Sequence, residues 1–244
     1  MRFMTWNVWG RFGGNWQWRQ RRIARTIRAN RPDLVALQES WVAGGLRQSE
    51  VLGAELGMSS IFAPSRMPQD PDPSVQLGLA ILSRYPFVAY ERHHLTDETI
   101  ALRAEIRLGE RGLHFLNTCL DWEEDRERER LNEAEALVEL VAELSASGDP
   151  VVLAGDLNAP PDRPEIKRLL SVLHDCRPDP GITYSSKNPY LGKGEWIEDE
   201  RIDYVLATLD AGRQPRCRAR IVGTEPDPPP SDHYAVVTDI PVLN

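Results

Sequence analysis

Cysteine is scarce. Cys119, Cys176 and Cys217 are the only three, widely separated and odd in number. No Cys-x-x-Cys pair occurs, so neither a disulfide framework nor a zinc finger is indicated. Long apolar runs are also missing. The sequence opens Met-Arg-Phe-Met-Thr-Trp-Asn, without the apolar core of a secretory signal, and no stretch reaches bilayer-spanning length. The expectation is a protein without a transmembrane segment, in a reducing cytoplasm. The third absence is basic excess. Lys+Arg total 29 against 37 Asp+Glu, a formal net charge of -8, which gives no global attraction for nucleic acid. Arg19, Arg21, Arg22, Arg25 and Arg28 leave room for a local basic groove, but all five fall on one predicted helix. A solvated helix face is the favoured reading of that cluster.

What is present suits an ordinary globular chain, with 41% hydrophobic and 27% charged residues. No linker of flexible composition divides residues 1–244, so the expectation is a single domain. A unit of that size buries roughly 70% of its unfolded surface. Apolar strands are predicted at Phe3–Val8, Asp33–Glu39, Leu77–Ser83, Ile100–Leu108, Leu113–Leu120, Val151–Asn158, Arg201–Ala207 and Tyr234–Ile240. Ile23 and Ile27 mark an amphipathic helix over Trp16–Asn30 stopped by Pro32, and Leu131, Ala134, Leu137, Val138, Val141 and Leu144 mark another over Glu123–Leu144. Leu46–Leu56 reads as helical, and Asp162 with Pro164 reads as the capped start of a short helix. The pattern strand, polar end, helix, strand, acidic end occurs twice, from Phe3 to Glu39 and from Leu113 to Asn158. The duplication implies an α/β fold of two similar sheets sharing one rim, packed face to face with helices outside.

The stretch Val151-Val152-Leu153-Ala154-Gly155-Asp156-Leu157-Asn158 is a buried-strand signal with a polar end, halted by Pro160 and Pro161. Asp156 and Asn158 stand two apart, so in an extended chain they leave on one face. A polar turn after a core strand is the bland alternative. Four other strand ends carry similar residues: Asn7, Glu39, Asp203, and Asp232 with His233. A hard cation such as Mg²⁺ takes carboxylate oxygens, which Glu39 and Asp232 could supply. A hydrolytic water needs a proton acceptor, either Asp156 or His233. Asp203 is a candidate to orient the imidazole, and the amides of Asn7 and Asn158 offer neutral donors to phosphate oxygens. Singly, a strand-end Glu or a loop Asp-His is more often a solvated surface group. Recurrence at strand end after strand end weakens that reading. Trp9, Trp41, Trp122 and Trp196 lie near these ends and either line a pocket or fill the core, with core favoured.

Thr5-Trp6-Asn7, Leu37-Gln38-Glu39, Gly155-Asp156-Leu157-Asn158, Arg201-Ile202-Asp203-Tyr204 and Ser231-Asp232-His233 resemble, in that order, the motifs of the endonuclease/exonuclease/phosphatase superfamily. Gly78–Pro86 is similar to that family's mid-chain strand, and the resemblance runs from Met1 almost to Asn244. It implies a four-layer α/β sandwich of two mixed β-sheets with the site on the shared rim. Carried over, Glu39 is the principal metal ligand with Asn7 and Asp232 beside it, for Mg²⁺ or Mn²⁺. Asp156 positions or deprotonates the attacking water, Asn158 binds the phosphate, and His233, oriented by Asp203, hydrogen-bonds the phosphoryl group or shares in proton transfer. Asn7 and Asn158 then also contact substrate.

One position departs from the pattern. Asn117-Thr118-Cys119 looks like a motif in which many members carry His, so Cys119 occupies a substrate-binding place with only a weak donor. The implied activity is divalent-metal-dependent phosphoester hydrolysis, with a phosphodiesterase favoured. The substrate is a small-molecule, lipid-derived or nucleic-acid phosphoester, and no protein partner is implied. A nuclease acting on DNA or RNA is the alternative. A catalytically weak binding protein on the same fold is a further one, given Cys119.

Overall fold

Alternation along the strands sets the layers. The computed structural model describes residues 1–66, 68–176, 181–191, 199–208, 217–225 and 228–241. In β1 (Arg2–Asn7) Phe3 packs into one apolar cluster, while Met4 and Trp6 pack into another on the opposite face. In β9 (Val151–Asp156) Val152 and Ala154 face the cluster that holds Phe3, and Leu153 faces away. The shared cluster is the inner core between two sheets, and the other two are the outer faces that helices cover.

The first sheet runs β12 (Arg218–Val222), β13 (Ala235–Asp239), β1, β2 (Leu34–Ala43), β5 (Gln76–Ser83), β4 (Ser59–Pro64), with β3 (Leu46–Arg47) paired to β2. Its outer face is covered by α1 (Trp16–Asn30), with α2 (Gln48–Leu56) beside it, through Ile23, Ile27 and Leu52. The second sheet runs β10 (His174–Asp175), β11 (Asp203–Ala207), β9, β8 (Arg111–Cys119), β7 (Ile100–Leu108), β6 (Phe87–His94). Leu137 and Val141 of α3 (Glu127–Ser145) and Ile166 and Leu169 of α4 (Pro164–Leu169) cover it. The result is a four-layer α/β sandwich of two mixed sheets. Each fully buried Leu, Ile or Phe contributes about 1.5–3 kcal/mol. In each sheet the parallel pair is the duplicated unit, β1 with β2 across α1 and β8 with β9 across α3. Gly155 permits the close approach in the second pair, where a Cβ would lie 2.2 Å from the Thr118 carbonyl oxygen.

Several local expectations are corrected. Arg19 is not on a solvated face; it is 1% exposed, while Arg21, Arg25 and Arg28 are exposed. Its guanidinium donates to the carbonyls of Val8, Trp9, Gly10, Phe12 and Pro230, which satisfies a charge that could not otherwise be buried. Arg19 stands four before Ile23 and eight before Ile27, in phase with the buried stripe. The segment expected to be helical from Leu46 begins as strand, and α2 starts at Gln48. Arg163 rather than Asp162 occupies the N-cap of α4, without a side-chain bond, ahead of Pro164. β4, β6, β10 and β12 carry too little apolar alternation to be read; β6 is a largely exposed edge. Trp196 lies outside the described residues. Among the described residues no helix is long and apolar enough to cross a membrane.

Candidate active site

Period-two alternation carries four polar side chains to one end of the inner face. Asn7 continues the Phe3 and Thr5 side of β1, Cys119 the Phe115 and Asn117 side of β8, Asp156 the Val152 and Ala154 side of β9. Asp203 begins the Val205 side of β11. Asn7 joins the sheets, since its Nδ2 donates to Glu39 Oε1 at 2.8 Å and to Asp156 Oδ2 at 3.0 Å. Its Oδ1 accepts the Trp9 N–H at 3.0 Å, which fixes the amide's orientation.

Glu39 reaches this face by another route. Unbroken alternation from Gln38, which points inward to Asn117, would send Glu39 outward. The β2–β5 register instead slips between Leu37 and Ser40, and Glu39 adopts φ +54°. A bulge of this kind re-aims a side chain, and left-handed φ in a non-glycine residue stores strain that surrounding contacts must hold. The strand does not end at Glu39 as expected but runs on to Ala43.

Asp156 and Asn158 also meet by a different device than shared strand alternation. β9 stops at Asp156, Asn158 has φ +48°, and its N–H donates to Asp156 Oδ1 at 3.1 Å, an Asx turn. Asn158 Nδ2 donates to the Leu120 carbonyl at 2.8 Å. The Cys119 thiol lies 3.9 Å from Asn158 Nδ2 and 3.8 Å from the Leu120 carbonyl oxygen. Burial, then the Asp156 charge, pushes that thiol well above its ordinary range, so it stays protonated.

His233 is held on several sides. Its Nδ1 is 3.0 Å from Asp203 Oδ2, its Nε2 is 3.8 Å from Asp156 Oδ2, and the Tyr184 ring sits 4.8 Å from the imidazole. Burial pulls the imidazole down, but the carboxylates of Asp203, Asp156 and Asp232 prevail and raise it well above 6.5. Asp156 is raised to about 6 by burial, opposed by His233. Glu39 is raised to about 8 by burial and then by the Asp232 charge. Asp232 is raised by burial against the pull of His233.

Residues given no role from sequence complete the frame. Gln38 Nε2 donates to Asn117 Oδ1 at 2.7 Å across the sheets, and Asn117 Nδ2 donates to the carbonyls of Leu37 and Ala80. The Ser231 hydroxyl donates to the Asn7 carbonyl at 2.7 Å. Thr183 Oγ1 accepts the N–H groups of Ile202 and Asp203. Gln38, Asn117 and Ser231 lie within the motifs quoted above; nothing marks Thr183. Of the tryptophans, Trp41 is 2% exposed against Trp16, Trp9 stacks on Tyr190 at 4.7 Å, and Trp122 is exposed.

Two groupings have the chemistry to hold a cation. Asp156, Asp203 and His233 bring ligand atoms within 4.8 Å of one another. Glu39 and Asp232 form the other, and there Glu39 Oε2 is buried with no hydrogen-bond partner. In the first grouping the His233 Nδ1 is already engaged by Asp203.

The sequence matches the Endonuclease/Exonuclease/phosphatase family over residues 4–233. The chain belongs to that family. Its members are phosphoesterases or nucleases, typically hydrolases of phosphoester bonds that use divalent metals. No curated protein matches the sequence. Among solved structures, truncated Caenorhabditis elegans TDP2 superposes with a TM-score of 0.79 at 18% identity, covering 98% of this chain and 96% of that one. The human Nocturnin catalytic domain with bound sulfate anion gives 0.77 at 21% identity, covering 98% and 94%. D. rerio TDP2 complexed with single strand DNA product gives 0.76 at 17%, covering 98% of each chain. At these identities the likeness is one of fold.

Proposed function

We propose that this chain is a divalent-metal-dependent phosphoester hydrolase, a phosphodiesterase by preference. The observation that carries the reading is Glu39 Oε2, a buried carboxylate oxygen without a partner. It stands beside Asp232 on a bulge that turns it toward Asn7. A carboxyl that burial drives toward neutrality ionises readily once a cation lies beside it. Glu39 and Asp232, with Asn7, would hold Mg²⁺ or Mn²⁺ through oxygen ligands. When bound, the cation supplies Lewis-acid stabilisation of phosphoryl charge.

The chain's own groups divide the remaining work. Asp156 Oδ2, between Asn7 Nδ2 and His233 Nε2, takes the proton of the attacking water or fixes its direction. His233, its Nδ1 tied to Asp203, presents Nε2–H to a phosphoryl oxygen. Asn158 spends one amide hydrogen on Leu120 and keeps the other for the phosphate. Water attacks phosphorus in line, without a covalent enzyme intermediate. The core shared by both sheets supports treating residues 1–244 as one domain, and three free cysteines fit a reducing cytoplasm.

Hydrolysis of bis(4-nitrophenyl) phosphate with Mg²⁺ or Mn²⁺, abolished by chelator and by Glu39→Ala, is the expected result. Metal binding without turnover on DNA, RNA, lipid head-group or sugar-phosphate esters would favour a binding protein. Nucleic acid is the second reading of the substrate, favoured by the DNA product held by the fold-related D. rerio TDP2.

A further inference from the structure

We propose that the Trp122 indole is a fixed stacking surface for a planar aromatic substituent of the phosphoester, beside the phosphate-binding Asn158. The proposal rests on the hydrolase reading and deepens it. Trp122 is 58% exposed, and among the described residues its indole has no ring partner, whereas Trp9, Trp16 and Trp41 are each packed on another aromatic. A single exposed aromatic is ordinary on a protein surface. What sets this one apart is the backbone that carries it.

Both neighbours of Trp122 are clamped by buried charged groups of α3. The Asp121 N–H donates to Glu133 Oε2 at 3.0 Å, and Arg130 Nη1 donates to the carbonyls of Asp121 at 3.3 Å and Glu123 at 2.6 Å. Arg130 is itself fixed by Glu165 at 3.0 Å, a pair almost without solvent. The Glu123 N–H closes onto Asp121 Oδ1 at 3.0 Å. Two residues earlier, the Leu120 carbonyl accepts Asn158 Nδ2 at 2.8 Å. The indole therefore hangs from a rigid segment two residues along the chain from the carbonyl that positions Asn158. A rigid, open aromatic two residues from the carbonyl that holds a phosphate-binding amide loses little entropy on stacking against a flat group. Glu123, Glu124 and Asp125 follow directly, and Arg126 after them is tied to Asp121 and Glu98, so the local balance disfavours a long polyanion and a compact ester with one aromatic arm fits best.

The test uses three 4-nitrophenyl phosphodiesters with a common leaving group, whose retained arm is methyl, phenyl or thymidin-5′-yl. The expected result is a preference for the aromatic arms that falls about tenfold in Trp122→Ala, through KM, and is kept by Trp122→Phe. Equal phenyl and thymidinyl gains identify a general aryl surface; a larger thymidinyl gain identifies a nucleobase. An unchanged preference in Trp122→Ala overturns the proposal and leaves the hydrolase reading standing. Absence of turnover on all three esters sinks the hydrolase reading instead. The indole is then judged by titrating phenylphosphonate, where equal affinity of wild type and Trp122→Ala overturns it.

Discussion

At the position where many family members carry histidine, Cys119 holds a neutral thiol with only long contacts to Asn158 and Leu120. The other histidines lie elsewhere: His114 opens the β8–β9 pairing at the far end of the sheet, His174 is on β10, and His93 and His94 are on the edge strand β6, separated from β8 by β7. His233 is thus the sole imidazole of the site. Cys119→Ala should keep most activity, measured as kcat/KM on a diester; near-total loss would show that the thiol contributes more than packing. His233→Ala should lower kcat by on the order of 10²–10⁴-fold. Asp203→Asn should lower it as well, because an amide can also donate to Nδ1 and so no longer fixes its tautomer. An unchanged kcat in His233→Ala would remove the imidazole from the reaction, and in Asp203→Asn it would remove Asp203 as its orienter. Cys119, singled out only by the family resemblance, extends the inner-facing register of β8, and the orientation of Asn7, Asp156 and Asp203 was legible from the alternation of their strands. That of Glu39, though it was read as a polar strand end, was not. Its orientation depends on a register slip at Leu37 to Ser40 that no residue type announces.

Elements with strong periodicity read well, and those shaped by tertiary contact did not. α1 has the bounds expected from Ile23, Ile27 and Pro32, and β7 those expected from Ile100–Leu108. The edge strands β4 and β6 take their form from a neighbouring strand rather than from their own pattern. Arg19 is the sharpest case, a charge in the phase of an apolar stripe that gathers four carbonyls of the loop leading from Asn7 and the carbonyl of Pro230. Arg19→Ala strands those buried acceptors and should destabilise the fold by about 3 kcal/mol or more, read by urea unfolding. A loss within error would mean that water replaces the guanidinium. Glu133 sets the second element-scale prediction. Burial raises it to about 7, so the folded protein holds an extra proton from about pH 4.5 up to about 7, and stability falls as pH rises through that window. Glu133→Gln, which can still accept the Asp121 N–H while Thr99 turns its hydroxyl to Thr96, should flatten that slope. An unaltered pH dependence of Tm would place the titration elsewhere.

Across the whole molecule, two sheets built from the same strand–helix–strand unit bring the carboxylates of Glu39, Asp156, Asp203 and Asp232 to one rim, and only one imidazole offsets them. Every shifted group there acts in the same direction. Glu39 at about 8 and Asp156 at about 6 are raised by burial, so the folded state binds more protons than the unfolded state between their ordinary values and the raised ones. His233, raised by its carboxylate neighbours, adds stability at low pH that is lost as pH climbs through its folded pKa. Metal-free protein should therefore lose stability steadily from about pH 5 to about pH 8. A divalent cation competes with protons for the same oxygens, so its stabilisation should grow over that range. At a hundredfold excess over Kd the gain is about 2.7 kcal/mol. Thermal unfolding with Mg²⁺ or with chelator, at pH 5 and pH 8, measures this directly. The expected pattern is a Tm increment that is small at pH 5, larger at pH 8, and absent at both in Glu39→Ala. An increment that survives Glu39→Ala would move the cation from Glu39 toward Asp156, Asp203 and His233, and one that ignores pH would place it away from all of these groups.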